Sequence, residues 1–204
     1  MRQAWREKLI AENLYEFIPA LREKETYVEH LTMEEVNRLV NIPVKDLLSR
    51  RAILFAILTG VRFSDVQNLL WAQVRGESGN YSLQFRQRKT GTIVYMPISD
   101  QAFDLLEHMT QKEGRVFSRL NYNRTRDLLK DWAASAGITK HLNFNCLRHT
   151  YATLQLDHGT DIYTVSKMLG HRHLKTTLRY TKVMEKKGDD RSDRAGSVDQ
   201  RFSH

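Results

Sequence analysis

The chain of 204 residues holds one cysteine, Cys146, which excludes an internal disulfide and fits a reducing compartment. It has no Cys/His set at zinc spacing and no internal repeat. It also lacks the acidic cluster that two-metal phosphoryl transfer requires. The longest apolar run, Ala52–Leu58, is far too short to span a bilayer and suits a buried helix. The first residues, Met1-Arg-Gln-Ala-Trp-Arg-Glu-Lys8, contain no apolar stretch of the kind that marks a secretory signal. These absences remove membrane, disulfide-scaffold and zinc-ribbon classes and leave a globular domain with 41% hydrophobic and 27% charged residues.

What the chain has in excess is positive charge, a formal +8. Such an excess favours polyanionic partners, among which phosphate backbones are the commonest. Charge alone is equally compatible with a merely basic protein, and part of it can sit in a tail.

Local patterns give a mainly α-helical chain with a small antiparallel sheet. Residues 1–25 read as a polar helix with Trp5, Leu9, Leu14 and Phe17 as its larger apolar positions, ended or kinked at Pro19. Thr32 with Glu35 three residues later is a capping box, opening a helix to about Val40. Pro43 opens the next helix, which stops at Gly60, and a short one follows Arg62 with Val66, Leu69 and Leu70 on one side. Tyr81–Phe85 and Thr92–Met96 alternate and are rich in β-branched and aromatic residues. Arg88-Lys-Thr-Gly91 between them is a turn, so the pair reads as a hairpin with Lys89 at its tip. Further helices are expected over about 100–111, 122–136, 145–158, 161–168 and 173–182, with Gly137, Gly159 and Gly170 at their ends. The segment 186–204 is polar and reads as disordered.

Four strings carry side chains capable of chemistry, and each has an ordinary alternative. In Leu58-Thr-Gly-Val-Arg-Phe-Ser-Asp65 a guanidinium follows a buried helix and can grip a phosphate, or can simply pair with Asp65. Lys89 can reach into a DNA groove and protonate a leaving oxygen, or can be merely solvated. In Asn145-Cys-Leu-Arg-His-Thr-Tyr-Ala-Thr153, Arg148 and His149 sit early in a helix, where backbone N–H groups favour anions. The alternative is an ordinary amphipathic helix with Asn145 as N-cap. In Met168-Leu-Gly-His171 and Thr176-Thr-Leu-Arg-Tyr-Thr181 a histidine after a helix-ending glycine precedes a tyrosine by nine residues, and such a tyrosine can equally be packing. Taken together, two arginines, a lysine, a histidine and a tyrosine make up what metal-free phosphoryl transfer needs. The transition state spreads negative charge over non-bridging oxygens, which guanidiniums neutralise, and a tyrosine ester conserves the energy of the broken phosphodiester.

This ordered set resembles the tyrosine recombinase, or phage integrase, family over roughly Leu31–Lys182. Thr59-Gly-Val-Arg62-Phe-Ser-Asp65 matches the family's Thr-Gly-x-Arg-x-x-Glu/Asp string, Lys89 its hairpin lysine, and Arg148 with His149 its His-x-x-Arg-His box. Leu169-Gly-His171 matches its Leu-Gly-His string and Tyr180 its nucleophile. The wording Gly-Val-Arg-Phe-Ser-Asp-Val also looks like integrases of mobile elements in Bacteroidetes-type bacteria. The resemblance implies the integrase catalytic-domain fold and a site-specific recombinase that needs neither metal, ATP nor another cofactor. Tyr180 would attack the scissile phosphate to give a 3′-phosphotyrosyl bond, and Arg62 and Arg148 would stabilise the pentavalent state. Lys89 would protonate the departing 5′-oxygen, His171 would bond a non-bridging oxygen, and His149 would support Arg148 or the tyrosine region. Asp65 would orient Arg62, and Arg88 would join Arg62, Lys89 and Arg148 in binding DNA.

The resemblance further implies residues 1–25 as a linker from an N-terminal core-binding domain, 26–185 as the catalytic domain and 186–204 as a tail. The partners implied are double-stranded DNA, other protomers in a synaptic tetramer and accessory DNA-bending proteins. The setting implied is the bacterial cytoplasm, at the nucleoid, with integration or excision of a mobile element as the event.

One departure stands out: Asn145 occupies the position of the box's first histidine, to which the tyrosine's proton is usually assigned. An amide donates or accepts a hydrogen bond but does not titrate near neutral pH. Base strength would then come from water or from His171, with a slower chemical step. Competing readings are a relative that binds DNA without cutting, which Asn145 favours; a type IB topoisomerase, which shares the constellation; and a basic helical domain without catalysis.

Overall fold

A computed structural model describes residues 5–9, 29–106 and 113–181. Most of the expected N-terminal helix and the whole of 186–204 lie outside the described residues. Within them the architecture is the expected one: helices around a three-stranded antiparallel sheet in the order β1-β2-β3.

Helix α1 (Met33–Asn41) starts as read from the sequence. The Thr32 hydroxyl accepts from the Glu35 amide at 3.2 Å, and the Glu35 carboxylate accepts from the Thr32 amide at 2.8 Å. Helix α2 (Leu47–Thr59) begins four residues beyond Pro43. Asp46 overrides the proline signal: its carboxylate accepts from the Ser49 amide at 3.1 Å, the Ser49 hydroxyl at 2.9 Å and Arg124 Nε at 2.6 Å. As expected, α2 ends at Gly60, which adopts a left-handed φ of 65°.

The short α3 (Phe63–Gln67) buries Val66, and Leu69 beyond it is buried too. Leu70 falls outside that helix and is 40% exposed, because the chain leaves α3 to bridge Arg115 and enter a 3-10 turn at Trp71–Gln73.

The sheet comprises β1 (Val74–Arg75), β2 (Tyr81–Arg86) and β3 (Ile93–Ile98). In the β2–β3 hairpin Phe85 pairs with Val94 and Leu83 with Met96, so the buried face is the apolar phase of the alternation. There follow α4 (Asp100–Asp104), α5 (Tyr122–Ser135), α6 (Phe144–Asp157), α7 (Ile162–Met168) and α8 (Lys175–Leu178). Residues 107–112, the far end of the helix expected from 100, are outside the described set. The N-cap of α6 is Asn143 rather than Asn145: the Asn143 amide oxygen accepts from the Asn145 and Cys146 N–H groups at 2.8 and 3.1 Å. Asn145 is inside the first turn with its side chain exposed.

Two apolar clusters share α2 and α6 as their common wall. Ala52 and Phe55 of α2 face the sheet with Leu83, Phe85, Val94 and Met96. Ile53, Leu54, Ala56 and Ile57 face α1 and α5 with Leu39, Leu129 and Trp132. The Ala52–Ile57 stretch of α2 is therefore buried on every side, which explains why it lacks a polar stripe. The α2–α6 pair is thus covered by apolar neighbours on both sides, each Å² of buried apolar surface contributing roughly 25 cal/mol. The ends of both helices are where the polar strings converge.

Candidate active site

The C-terminal end of α2, the N-terminal half of α6, the turn after α7, the hairpin and the segment after α8 meet at one place. Arg148 is at its base, 5% exposed. Its Nη1 donates to the Gly60 carbonyl at 2.7 Å and its Nη2 to the Leu169 carbonyl. Burial first, and the neighbouring Arg62 second, lower its pKa to about 10, so it stays a cation at neutral pH. Gly60 is required twice over. Its φ is left-handed, and a Cβ there would come within 2.5 Å of Tyr151 Cδ1 and 2.9 Å of Leu169 Cδ2.

Arg62, the residue before α3, is half-buried, and its Nη1 is buried with no hydrogen-bond partner. The ordinary alternative of an Arg62–Asp65 ion pair is not realised. Asp65 is 4% exposed, and its Oδ1 accepts the Arg88 backbone N–H at 2.9 Å, tying α3 to the hairpin. Burial raises the Asp65 pKa, against the pull of that N–H and of Arg62, Arg148 and Arg88. Asp65 thus holds the loop that carries Lys89, while contributing negative potential beside Arg62.

The hairpin has two further tethers. Gln87, 2% exposed, donates from Nε2 to the same Leu169 carbonyl at 2.8 Å, and Arg172 Nη2 donates to the Thr90 carbonyl. A Cβ at Gly170 would meet Gln87 Nε2 at 2.5 Å, so this glycine permits the close passage of the hairpin. Lys89 and Arg88 project from the tip and are exposed.

His171 lies at the α7 turn, its backbone N–H donating to the Ser166 carbonyl at 3.0 Å. Its Nδ1 is 2.8 Å from the Thr177 hydroxyl, and burial, then Arg148 and Arg62, bring its pKa down to about 3. Tyr180 follows α8 rather than lying within it and is 2% exposed. Its hydroxyl is 2.9 Å from His149 Nδ1, with the two ring centroids 5.4 Å apart. Burial raises the phenol's pKa, while Arg148, Arg179 and Arg62 pull it down. His149 is lowered to about 4 by burial, then by Arg179, Arg148 and His30.

Of the sequence-predicted residues, Arg62, Arg148, His149, His171 and Tyr180 converge. Asp65 sits beneath them, Lys89 and Arg88 stand at the rim, and Asn145 is exposed on the first turn of α6. Three participants were missed: Gln87, Thr177 and the Gly60 carbonyl. Gln87 did leave a signal, because it continues the inward phase of Leu83 and Phe85 and is therefore a polar side chain aimed at the interior. Among the described residues no group of His, Cys, Asp and Glu could hold a metal ion, and no helix is long and apolar enough to cross a membrane.

The site thus gathers a buried and a half-buried arginine that bear electrostatically on a tyrosine phenol, in a fold of helices around a three-stranded sheet. The phage integrase family model matches residues 29–187, and the chain belongs to that family. The tyrosine recombinase XerA of Pyrococcus furiosus is 29% identical over 187 residues, covering 85% of this chain and 64% of that protein. The tyrosine recombinase XerC of Neisseria gonorrhoeae is 29% identical over 181 residues, covering 79% of this chain and 57% of that protein. The chain thus spans less than two thirds of the length of these relatives. Among solved structures, the catalytic domain of bacteriophage HP1 integrase superposes with a TM-score of 0.59 at 27% identity, covering 76% of this chain and 88% of that one. The XerH recombinase in a post-cleavage complex with a palindromic difH substrate shares the fold, with a TM-score of 0.67 at 19% identity over 82% of this chain and 53% of that one.

Proposed function

We propose that this chain is the catalytic part of a site-specific DNA recombinase that cuts and rejoins DNA through a 3′-phosphotyrosyl link to Tyr180. The observation that carries the reading is the pairing of two guanidiniums with a tyrosine hydroxyl. Arg148 is locked by two carbonyls, Arg62 keeps one buried N–H without a partner, and both bear electrostatically on the Tyr180 phenol. A buried donor without a partner costs about 1–3 kcal/mol, and an arriving phosphate oxygen relieves that cost. Two fixed positive charges also match the charge that builds on the phosphorane, so they act on the transition state more than on the ground state. Tyr180 then attacks phosphorus and the 5′-oxygen leaves. Lys89 on its tethered hairpin reaches that oxygen as its acid, and His171 bonds a non-bridging oxygen. The 5′-hydroxyl of another strand reverses the step. Neither metal nor ATP enters, because the arginines supply the charge and the tyrosine ester stores the bond energy.

Residues 1–25 are the connector from a core-binding domain, 26–185 the catalytic domain and 186–204 a tail. The partners are double-stranded DNA, further protomers in a synaptic tetramer and accessory DNA-bending proteins, in the bacterial cytoplasm at the nucleoid. The event is integration or excision of a mobile element, of a Bacteroidetes-type bacterium on the wording around Arg62. XerH provides a precedent in its own solved complexes with difH DNA.

The test is a duplex nicked near the scissile phosphate, with its sequence taken from the ends of the element that encodes the chain. A denaturant-stable protein–DNA adduct that vanishes in Tyr180→Phe is the expected result. No adduct, with the N-terminal domain also supplied, would leave the reading of a DNA-binding relative that does not cut.

A further inference from the structure

With Asn145 in place of the usual first histidine, the tyrosine's proton needs another destination. Asn145 is exposed and its amide has no basic lone pair. The Nδ1 of His171 is already engaged by Thr177. The imidazole in contact with the phenol is that of His149, in the first half of α6. We propose that His149 Nδ1 accepts the Tyr180 proton during strand cleavage and returns it during rejoining, which makes His149 a catalytic residue of this chain.

The inference rests on the recombinase reading. As the Tyr180 oxygen bonds to phosphorus, its O–H bond breaks and the proton passes to Nδ1, leaving an imidazolium. The P–O5′ bond breaks, and the 5′-oxygen takes its proton from the acid on the opposite side, the role given above to Lys89. In rejoining, the 5′-hydroxyl attacks phosphorus and gives its proton back to the Lys89 amine, the bond between phosphorus and the Tyr180 oxygen breaks, and the departing phenolate takes its proton from the His149 imidazolium.

For Nδ1 to accept, the ring must carry its hydrogen on Nε2, and it must be neutral beforehand. Burial and the surrounding groups ensure the second condition. Arg148 on α6, Arg179 beside the tyrosine, and His30 ahead of α1 all disfavour the imidazolium, and His171 from the α7 turn is coupled to the ring in the same sense. The same positive surroundings make the base adaptive. A bound phosphate offsets Arg148, one of the charges that hold the imidazole down, so the imidazole gains basicity once a substrate is seated. A proton acceptor of this kind contributes about 10²- to 10⁴-fold in rate.

Two measurements test it, one of them independent of DNA. Nitrogen NMR of the histidine-labelled chain, with His149 assigned by its loss in His149→Gln, should show Nδ1 unprotonated and Nε2 protonated at pH 7. A protonated Nδ1 at pH 7, donating to the phenol oxygen, overturns the proposal. The second is adduct formation on the nicked duplex. His149→Gln keeps a hydrogen-bonding amide and should cleave about 10²-fold slower than the parent. A fluorinated tyrosine at position 180, whose phenol is more acidic, should recover most of that loss. Equal deficits with both phenols would mean that His149 only positions the ring, and an undiminished rate in His149→Gln would end the proposal outright. A parent chain that forms no adduct, even with its N-terminal domain, would strike at the recombinase reading instead, and the NMR result would still stand for His149.

Discussion

The cradle around Arg148 and the hairpin tip around Lys89 present two positive charges held in opposite ways. Arg148 is buried, its fork fixed by the carbonyls of Gly60 and Leu169, on helices that share the core. Lys89 is exposed, and what is fixed is its loop, through the Arg88 N–H on Asp65, Gln87 on the Leu169 carbonyl and Arg172 on the Thr90 carbonyl. The difference follows from the tasks proposed for them. Charge that must meet a developing phosphorane gains from preorganisation in a dry site. A proton donor to a leaving group must enter with the DNA and retreat with it, which suits a tethered loop tip. Leu169 links the two regions, since its single carbonyl receives both Arg148 and Gln87.

The sharpest way to break this contrast is to remove the buried charge. Arg148→Ala should lower the adduct-forming rate by about 10³-fold or more. It should also destabilise the fold by about 1–3 kcal/mol, because the Gly60 carbonyl loses its Arg148 donor and the Leu169 carbonyl keeps only Gln87. A Tm unchanged from the parent would show that the cradle does not depend on Arg148. Lys89→Ala should split these two effects: cleavage slower by about 10²-fold, stability within about 0.5 kcal/mol of the parent. A substrate with sulfur at the bridging 5′ position needs no acid at its leaving group and should restore the rate of Lys89→Ala but not that of Arg148→Ala. Gly60→Ala is the reverse probe, since it touches no reacting atom. A left-handed φ and a Cβ 2.5 Å from Tyr151 should cost about 1–3 kcal/mol, read as a lower denaturation midpoint.

The two histidines sharpen the comparison through pH. Their folded pKa values, about 4 for His149 and about 3 for His171, lie below the ordinary 6.5, so the unfolded chain binds protons more readily. Stability should therefore be fully present above about pH 6.5 and fall as pH drops toward 4 and then 3. Urea midpoints measured across that window should show the slope, and His149→Gln should flatten its upper part. A slope unchanged in that variant would mean that His149 ionises freely in the fold.

Much of this site was legible because the integrase strings are local. Arg62 lies two residues after a helix-ending glycine, Arg148 and His149 are adjacent, and His171 follows Gly170. The capping box at Thr32–Glu35 and the hairpin were equally local, each set by residues at most a few positions apart. The misreadings have physical causes. Pro43 and Asp46 both signal a helix start, and the side chain that accepts hydrogen bonds prevailed over the fixed φ. Asn143 and Asn145 are the same residue type two positions apart, so composition could not choose the cap. The Asp65–Arg88 and His149–Tyr180 contacts join residues 23 and 31 apart in sequence, and no periodicity encodes which side chains a tertiary fold will bring together.

The smallest expected effect concerns Asn145, and it separates two accounts of the same departure. If the missing histidine merely slows the chemistry, Asn145→His should raise the rate of adduct formation in the parent. If His149 has taken over the proton, the gain in the parent should be slight, within about tenfold, and larger in the His149→Gln background, where no base remains. The two substitutions would then be non-additive, as expected for groups serving one proton. Asn145 lies on the exposed first turn of α6 with its backbone capped by Asn143, so the histidine can be introduced there without disturbing a buried contact. Equal gains in both backgrounds would mean that the two positions act independently, and that the Tyr180 proton does not leave by way of His149.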